Sequence, residues 1–329
     1  MSPKKAVKKA TEKPEQPKEQ KKPEMWDFII VGGGPAGLSA AIYAARFRLK
    51  TLVLSKQLGG TVMFTHMIEN YPGFGSITGM DLANKFVEHA KSYGVPIREE
   101  EVIGVAKRTD GFAVQTANAT YNAKSLLFAT GTEHRKLGVP GEEQFKNKGV
   151  SYCAVCDAPV YKDKIVGVVG GSDSAAKEAL FLAKYAKKVY IIYRREKIRA
   201  EPVTAMQVEN EKKIEIIINS VVTEIKGADF VTSATIEDVN SKKKRAIALD
   251  GLFIEIGGIP GSELAKRLGA ALNEKGEIVT DRAAQTNVPG IFAAGDVAAN
   301  EWKQAITAAA DGAMSVLSAY KFVRQATVA

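Results

Sequence analysis

Cys153 and Cys156 are the two cysteines of the chain, and they stand three apart in the run Ser-Tyr-Cys-Ala-Val-Cys-Asp. A disulfide framework of the secreted kind needs more bridges, and a zinc site needs two further soft ligands. The three histidines, His66, His89 and His134, are scattered singly and show no ligand spacing. The reading left for the pair is a redox dithiol that opens and closes a disulfide. Asp157 adjoins it, where a carboxylate can donate or accept the accompanying proton. If Cys156 starts a helical turn, exposed N–H groups favour its thiolate.

A redox pair needs an electron source, and two glycine turns supply candidates. Trp26 to Val31 is an apolar run with β propensity that leads straight into Gly32-Gly33-Gly34-Pro35-Ala36-Gly37. Leu38, Ala41, Ile42 and Ala45 then recur at helical spacing, and Thr51 to Leu54 reads as the next parallel strand. This is the strand–turn–helix–strand unit of about 30 residues that a dinucleotide fold requires. Gly32 permits the tight turn, Gly34 lets backbone approach a pyrophosphate, and Gly37 lets helix and strand pack closely. Ser55 stands where an acid often binds ribose, so this turn leaves open which dinucleotide it holds.

The unit recurs. Lys164 to Val169 reads as a strand, Gly170-Gly171-Ser172-Asp173-Ser174-Ala175 as a turn, Ala176 to Ala186 as a helix and Lys188 to Tyr193 as the second strand. Ser172 replaces the glycine that makes room for a pyrophosphate, and its Cβ should crowd the ligand. The second strand runs into Arg194 and Arg195, with Arg199 one helical turn beyond. Guanidinium groups there suit a 2′-phosphate, whereas an NAD site wants an acid. A solvated basic turn is the plainer alternative.

Two such units predict an α/β chain of two doubly wound, Rossmann-like domains, each with its own dinucleotide. Glu100 to Ala129 reads as short alternating strands. Ile291 to Ala294 is a further strand leading into Gly295-Asp296, where the acid suits a ribityl or ribose hydroxyl or a helix cap. Lys303 to Val323 is a long helical stretch. With no third domain opening there, the C-terminal segment is expected to return to the first domain, so that the second is an insertion.

Charge excludes less than it suggests. The net charge is +9, but residues 1–24 hold eight lysines, four glutamates and four prolines, with no aromatic residue. That stretch is expected to be a disordered tail, and the body it leaves is only mildly basic. Nucleic-acid binding is therefore not expected. No apolar run approaches the roughly 18 residues of a membrane span, and no secretory signal is visible, so a cytoplasmic protein is expected.

Seven short motifs occur in the order found in the low-molecular-weight thioredoxin reductases, which the chain resembles from about residue 26 to 323. They are Val-Gly-Gly-Gly-Pro-Ala-Gly (31–37), Glu-Asn-Tyr-Pro-Gly (69–73), Ala-Thr-Gly (129–131) and Cys-Ala-Val-Cys-Asp (153–157). Arg194-Arg195 with Arg199, Phe-Ile-Glu-Ile-Gly (253–257) and Ala-Ala-Gly-Asp-Val (293–297) complete the set. The resemblance implies FAD in a discontinuous domain of residues 25–131 and 257–329, and NADPH in residues 132–256. By the same resemblance Gly32, Gly34, Gly37, Asn70 and Asp296 hold FAD, with Lys303 and Gln304 near the flavin ring. Gly170, Ser172, Ser174, Arg194, Arg195 and Arg199 hold NADPH. The family usually has arginine in place of Lys303, histidine in place of Tyr193 and glycine in place of Ser172.

The implied chemistry passes hydride from NADPH to FAD, then opens the Cys153–Cys156 disulfide. Cys156 faces the flavin, Cys153 attacks the disulfide of thioredoxin or a related carrier, and Asp157 supplies the proton. A homodimer is implied too, and rotation of the inserted domain about hinges at 129–134 and 252–258 exposes the pair. A ferredoxin–NADP reductase-like flavoprotein needs no dithiol, and a dithiol oxidase needs no arginine cluster. A non-catalytic nucleotide sensor leaves the thiols unexplained.

Overall fold

The computed structural model of the protein describes residues 24–65 and 67–328. The lysine-rich tail lies outside these residues except for Glu24, whose carboxylate meets the Lys50 ammonium at 3.0 Å.

The first described strand, β1 (Met25–Gly33), carries Phe28, Ile29 and Ile30, all fully buried. Burial on both faces is what a central parallel strand requires, and it explains an apolar run without alternation. Helix α1 (Pro35–Arg46) follows at once, and β2 (Thr51–Leu58) pairs parallel to β1 with Thr51 beside Phe28. Helix α2 (Gly79–Ser92) opens at Thr78, whose hydroxyl accepts the Asp81 N–H at 3.0 Å, an ordinary N-cap. Then come β3 (Ile97–Arg98), β4 (Val102–Arg108), β5 (Gly111–Thr116) and β6 (Thr120–Phe128). Strands β4, β5 and β6 are the short strands expected between Glu100 and Ala129. The sheet runs β3-β2-β1-β6-β5-β4, with β6 parallel to β1.

The chain leaves this sheet through β7 (Thr132–His134) and builds a second one. Its elements are β8 (Val150–Ser151), the short helix α3 (Ala154–Asp157), β9 (Ile165–Val169), α4 (Asp173–Ala183), β10 (Lys188–Ile192), α5 (Pro202–Asn210) and β11 (Ile214–Ile217). An antiparallel meander follows: β12 (Ser220–Gly227), β13 (Val231–Asp238) and β14 (Lys244–Ala248). Then β15 (Gly251–Ile254) inserts beside β9, giving the all-parallel order β11-β10-β9-β15-β8. The return segment, β16 (Gly258–Pro260), pairs antiparallel with β7, His134 opposite Gly258. The two crossings between the sheets therefore run side by side.

After α6 (Glu263–Arg267), β17 (Ile291–Ala293) pairs parallel with β6, Ile291 beside Leu126. The C-terminal segment thus rejoins the first sheet, and the fold is the α/β class expected, with the second unit set inside the first. Helix α7 (Ala305–Val328) starts two residues later than the sequence pattern suggested and runs five further. It lies across α1, and both bury Leu38, Val316, Phe28 and Phe292 against one face of the sheet.

The α1–α7 crossing is close because residue 312 is glycine. A Cβ there would overlap the Ala36 carbonyl oxygen in the first turn of α1. Gly312→Ala must push the helices apart or strain them, at about 1–3 kcal/mol. We expect a lowered Tm and weaker flavin retention, read from thermal melts and the flavin-to-protein absorbance ratio. A wild-type Tm in this variant would contradict the tight crossing.

Candidate active site

The first glycine turn forms a cradle bounded by backbone. Gly32 has φ +116°, and a Cβ there would strike the Ala129 carbonyl, while one at Gly37 would strike the carbonyl of Gly32 itself. Gly34 is the N-cap of α1 and offers no side-chain cap, and Pro35 follows. The leading N–H groups of α1 therefore have no side-chain acceptor, which makes this terminus an anion site. The turn Gly295–Val297 packs against Ala36 and brings Asp296 to the same end of the sheet. Asp296 does not cap a helix, and among the described residues no group donates a hydrogen bond to its carboxylate. Burial raises its pKa, opposed by the nearby Lys303 charge. A dinucleotide with a pyrophosphate for α1 and a hydroxyl for Asp296 fits these groups, as FAD does.

Asn70 and Gln304, 234 residues apart in sequence, meet at this site, the Asn70 amide donating to Gln304 Oε1 at 3.1 Å. Lys303 is bound from within the protein. Its ammonium donates to the carbonyls of Asp296 (2.6 Å) and Ala298 (3.0 Å) and pairs with Glu277 at 2.9 Å. Those three acceptors match its three donors, so it braces the Asp296 turn from behind and keeps no donor for a flavin ring.

At the second turn, Gly170 follows β9 and Ser172 is the N-cap of α4, its hydroxyl accepting the Ala175 N–H at 3.4 Å. The serine that was expected to crowd the ligand directs its oxygen back into the helix. Ser174 lies exposed in the first turn. Beyond β10 the chain is irregular, so Arg199 is not one helical turn after Arg195. It is placed instead by a parallel bridge to Ser172 and by its N–H donating to the Gly171 carbonyl at 2.6 Å. Arg194, Arg195 and Arg199 are all exposed and make no ion pair among the described residues.

Cys153 and Cys156 form a disulfide across α3, with Cα atoms 5.4 Å apart. The helix begins at Ala154, so Cys153 rather than Cys156 is the N-cap, and its Sγ accepts the Cys156 N–H at 3.1 Å. The turn that was expected to favour the Cys156 thiolate therefore favours that of Cys153. The Cys153 N–H in turn donates to Ser151 Oγ at 3.0 Å, which fixes the approach to the helix. Cys156 is exposed and Cys153 partly so. Helix α3 faces the 3-10 turn Gly60–Phe64 of the first sheet's unit. The Asp157 carboxylate, beside Tyr161, receives no hydrogen bond among the described residues.

One feature was not foreseen. Glu178, on α4, and Glu255, at the end of β15, meet behind α3 as a carboxyl pair. The Ala154 N–H, the first of α3, bonds to Glu178, while Glu178 Oε2 is buried with no hydrogen-bond partner. Burial pushes Glu255 up to about 7, and burial together with the Glu255 charge raises Glu178. The signal was present: Glu255 is the one charged residue of Leu252–Ile256, an otherwise apolar stretch.

A disulfide on a short helix, between two glycine turns built for dinucleotides, defines a nucleotide-dependent dithiol–disulfide oxidoreductase. The chain belongs to the pyridine nucleotide-disulphide oxidoreductase family, whose pattern matches residues 26–312. It is 40% identical to a thioredoxin reductase of Listeria monocytogenes over 92% of this chain and 95% of that one. The solved thioredoxin reductase of Lactococcus lactis, described as in an FR conformation, superposes with TM-score 0.89 at 41% identity, covering 91% of this chain and 99% of that one. That of T. acidophilum gives 0.87 at 39%, covering 90% and 98%. The protein is an FAD-dependent oxidoreductase that uses NADPH. Among the described residues no group of His, Cys, Asp or Glu could hold a metal ion, and no helix is long and apolar enough to cross a membrane.

The carboxyl pair gives a pH prediction. Glu255 is held above its usual 4.5, so its contribution to stability is full below that value and lost as pH rises through about 7. Glu255→Gln stays neutral, and the variant should match wild type near pH 5 and exceed it at pH 8 by about 1–3 kcal/mol. Thermal melts of the holoprotein at the two pH values test this. A difference that does not change with pH would contradict it.

Proposed function

We propose that the protein is an NADPH-dependent thioredoxin reductase, acting on thioredoxin or a related disulfide carrier. The observation that carries this reading is the Cys153–Cys156 disulfide on α3, set between the two glycine turns. Bound FAD would supply the chemistry that links the hydride of NADPH to the electron pair needed by the disulfide.

The chain's own residues do the rest. Gly32, Gly34, Gly37, Asn70 and Asp296 would hold FAD, the glycines opening α1 to its pyrophosphate and Asp296 accepting from a hydroxyl, with Lys303 behind Asp296 and Gln304 toward the ring. Gly170, Ser172 and Ser174 take the NADPH pyrophosphate at the start of α4, and Arg194, Arg195 and Arg199 take the 2′-phosphate. Cys156 faces the flavin. Once the disulfide is open, Cys153 Sγ attacks one sulfur of the partner's disulfide and the other leaves as a thiolate. Cys156 then attacks Cys153, which re-forms the internal disulfide and frees the reduced partner. Asp157 supplies the proton, and its unpartnered carboxylate suits the task. The N–H that points at Cys153 Sγ supports the attacking role by favouring that thiolate.

In this reading the FAD domain comprises 25–131 and 257–329 and the NADPH domain 132–256. The hinges at 129–134 and 252–258, which meet where β7 pairs with β16, let the inserted domain turn to present the dithiol. A cytoplasmic homodimer, with no membrane or nucleic-acid partner, completes it.

Cys153→Ser should cut turnover with thioredoxin about a thousandfold or more, while NADPH still bleaches the flavin. Steady-state assays with thioredoxin, beside anaerobic flavin spectra, read both. Retained turnover would overturn the assignment of Cys153.

A further inference from the structure

Tyr193 stands at the centre of the arginine cluster, yet its phenol points inward. Its ring is buried, 6% exposed, and lies on the backbone of Gly171. A Cβ at Gly171 would come within 2.5 Å of the ring, so the ring occupies space that only glycine leaves open. The backbone of Tyr193 is held from both sides, its N–H donating to Ile217 and its carbonyl accepting from Ser220, each at 2.9 Å. This seat is rigid.

The loop after β10 comes back over it. Ile198 is buried, Arg199 is bridged to Ser172, and the Glu201 N–H donates to Asp173 Oδ1 at 3.0 Å. The two carboxylates that take part in this closure, Asp173 and Glu201, are both approached by Lys177, at 2.7 and 3.9 Å. They do not neutralise Arg199. Instead Arg199 Nε donates to the Tyr193 hydroxyl at 3.0 Å. A guanidinium fixed through Nε keeps both terminal nitrogens for a bidentate anion, and fixing it beforehand reduces the rotamer entropy lost on binding.

We propose that Tyr193 is a positioning residue for NADPH selectivity: its hydroxyl sets the Arg199 guanidinium toward the 2′-phosphate without itself touching the cofactor. The proposal rests on the reading of Arg194, Arg195 and Arg199 as the 2′-phosphate site.

Removing the hydroxyl alone tests it. Tyr193→Phe, Arg199→Ala and the double variant are compared with wild type as FAD-loaded protein. Calorimetry gives the affinity for 2′,5′-ADP against 5′-AMP, and steady-state kinetics give the ratio of kcat/KM for NADPH over NADH. Tyr193→Phe should lower both ratios about five- to tenfold, through KM for NADPH. In the Arg199→Ala background the same change should have no further effect. Equal losses for both nucleotides, leaving the ratios unchanged, would mean a packing role and overturn the proposal. A loss that persists without Arg199 would mean direct contact with the cofactor and overturn it too. If wild type itself binds 2′,5′-ADP no better than 5′-AMP, the arginine site falls and this role with it.

Discussion

An α-helix that starts without a side-chain cap must find acceptors for its leading N–H groups elsewhere, and α1 starts on Gly34-Pro35 with none. Much of the first unit follows from that requirement. The turn before the helix must be narrow enough for an anion to sit against backbone, so Gly32 lies under the Ala129 carbonyl and Gly37 under that of Gly32. The helix must then be held in place from its far side. That is done by α7, which approaches Ala36 through Gly312, and by the Asp296 turn, which Lys303 braces through two carbonyls. Residues from both ends of the chain are needed at one phosphate-sized point, which is a physical reason for the C-terminal segment to rejoin the first sheet.

The second turn solves the same geometric problem differently. Ser172 caps α4, so that helix start is partly satisfied without a ligand. A terminus of this kind suits a nucleotide that arrives and departs with each cycle, whereas the uncapped α1 suits one that stays. The disulfide helix α3 belongs to the second unit but faces the first, and behind it the Glu178–Glu255 pair holds carboxyls against ionisation. Keeping negative charge low there is consistent with a helix that must accommodate a thiolate when the disulfide opens.

Much of this was legible in the residues. Apolar runs followed by glycine turns and helical spacing located β1–α1–β2 and β9–α4–β10, because burial on both faces leaves a strong signature. The Cys-x-x-Cys spacing located the disulfide. What could not be read were contacts made by folding distant segments together. Asn70 against Gln304 and Glu178 against Glu255 have no local pattern, although Glu255 stood out as a charge in an apolar stretch. Local geometry misled in two places, and at Lys303 the reading came from the family resemblance. Cys153, not Cys156, caps α3, since a helix can begin one residue after the first cysteine. Arg199 is set by a backbone bridge to Ser172 and not by a helical turn. Lys303, being shorter and more compact in charge than arginine, turns to the nearest carbonyls and Glu277.

In the proposed cycle the flavin and the Cys153–Cys156 disulfide form one electron path. Anaerobic titration of the holoprotein with NADPH, coupled to thiol alkylation and peptide mass mapping, tests it most directly. The expected result is uptake of two electron pairs per chain, one by the flavin and one by the disulfide, with alkylation appearing on both Cys153 and Cys156. Complete flavin reduction after a single pair, with both cysteines still resistant to alkylation, would contradict it.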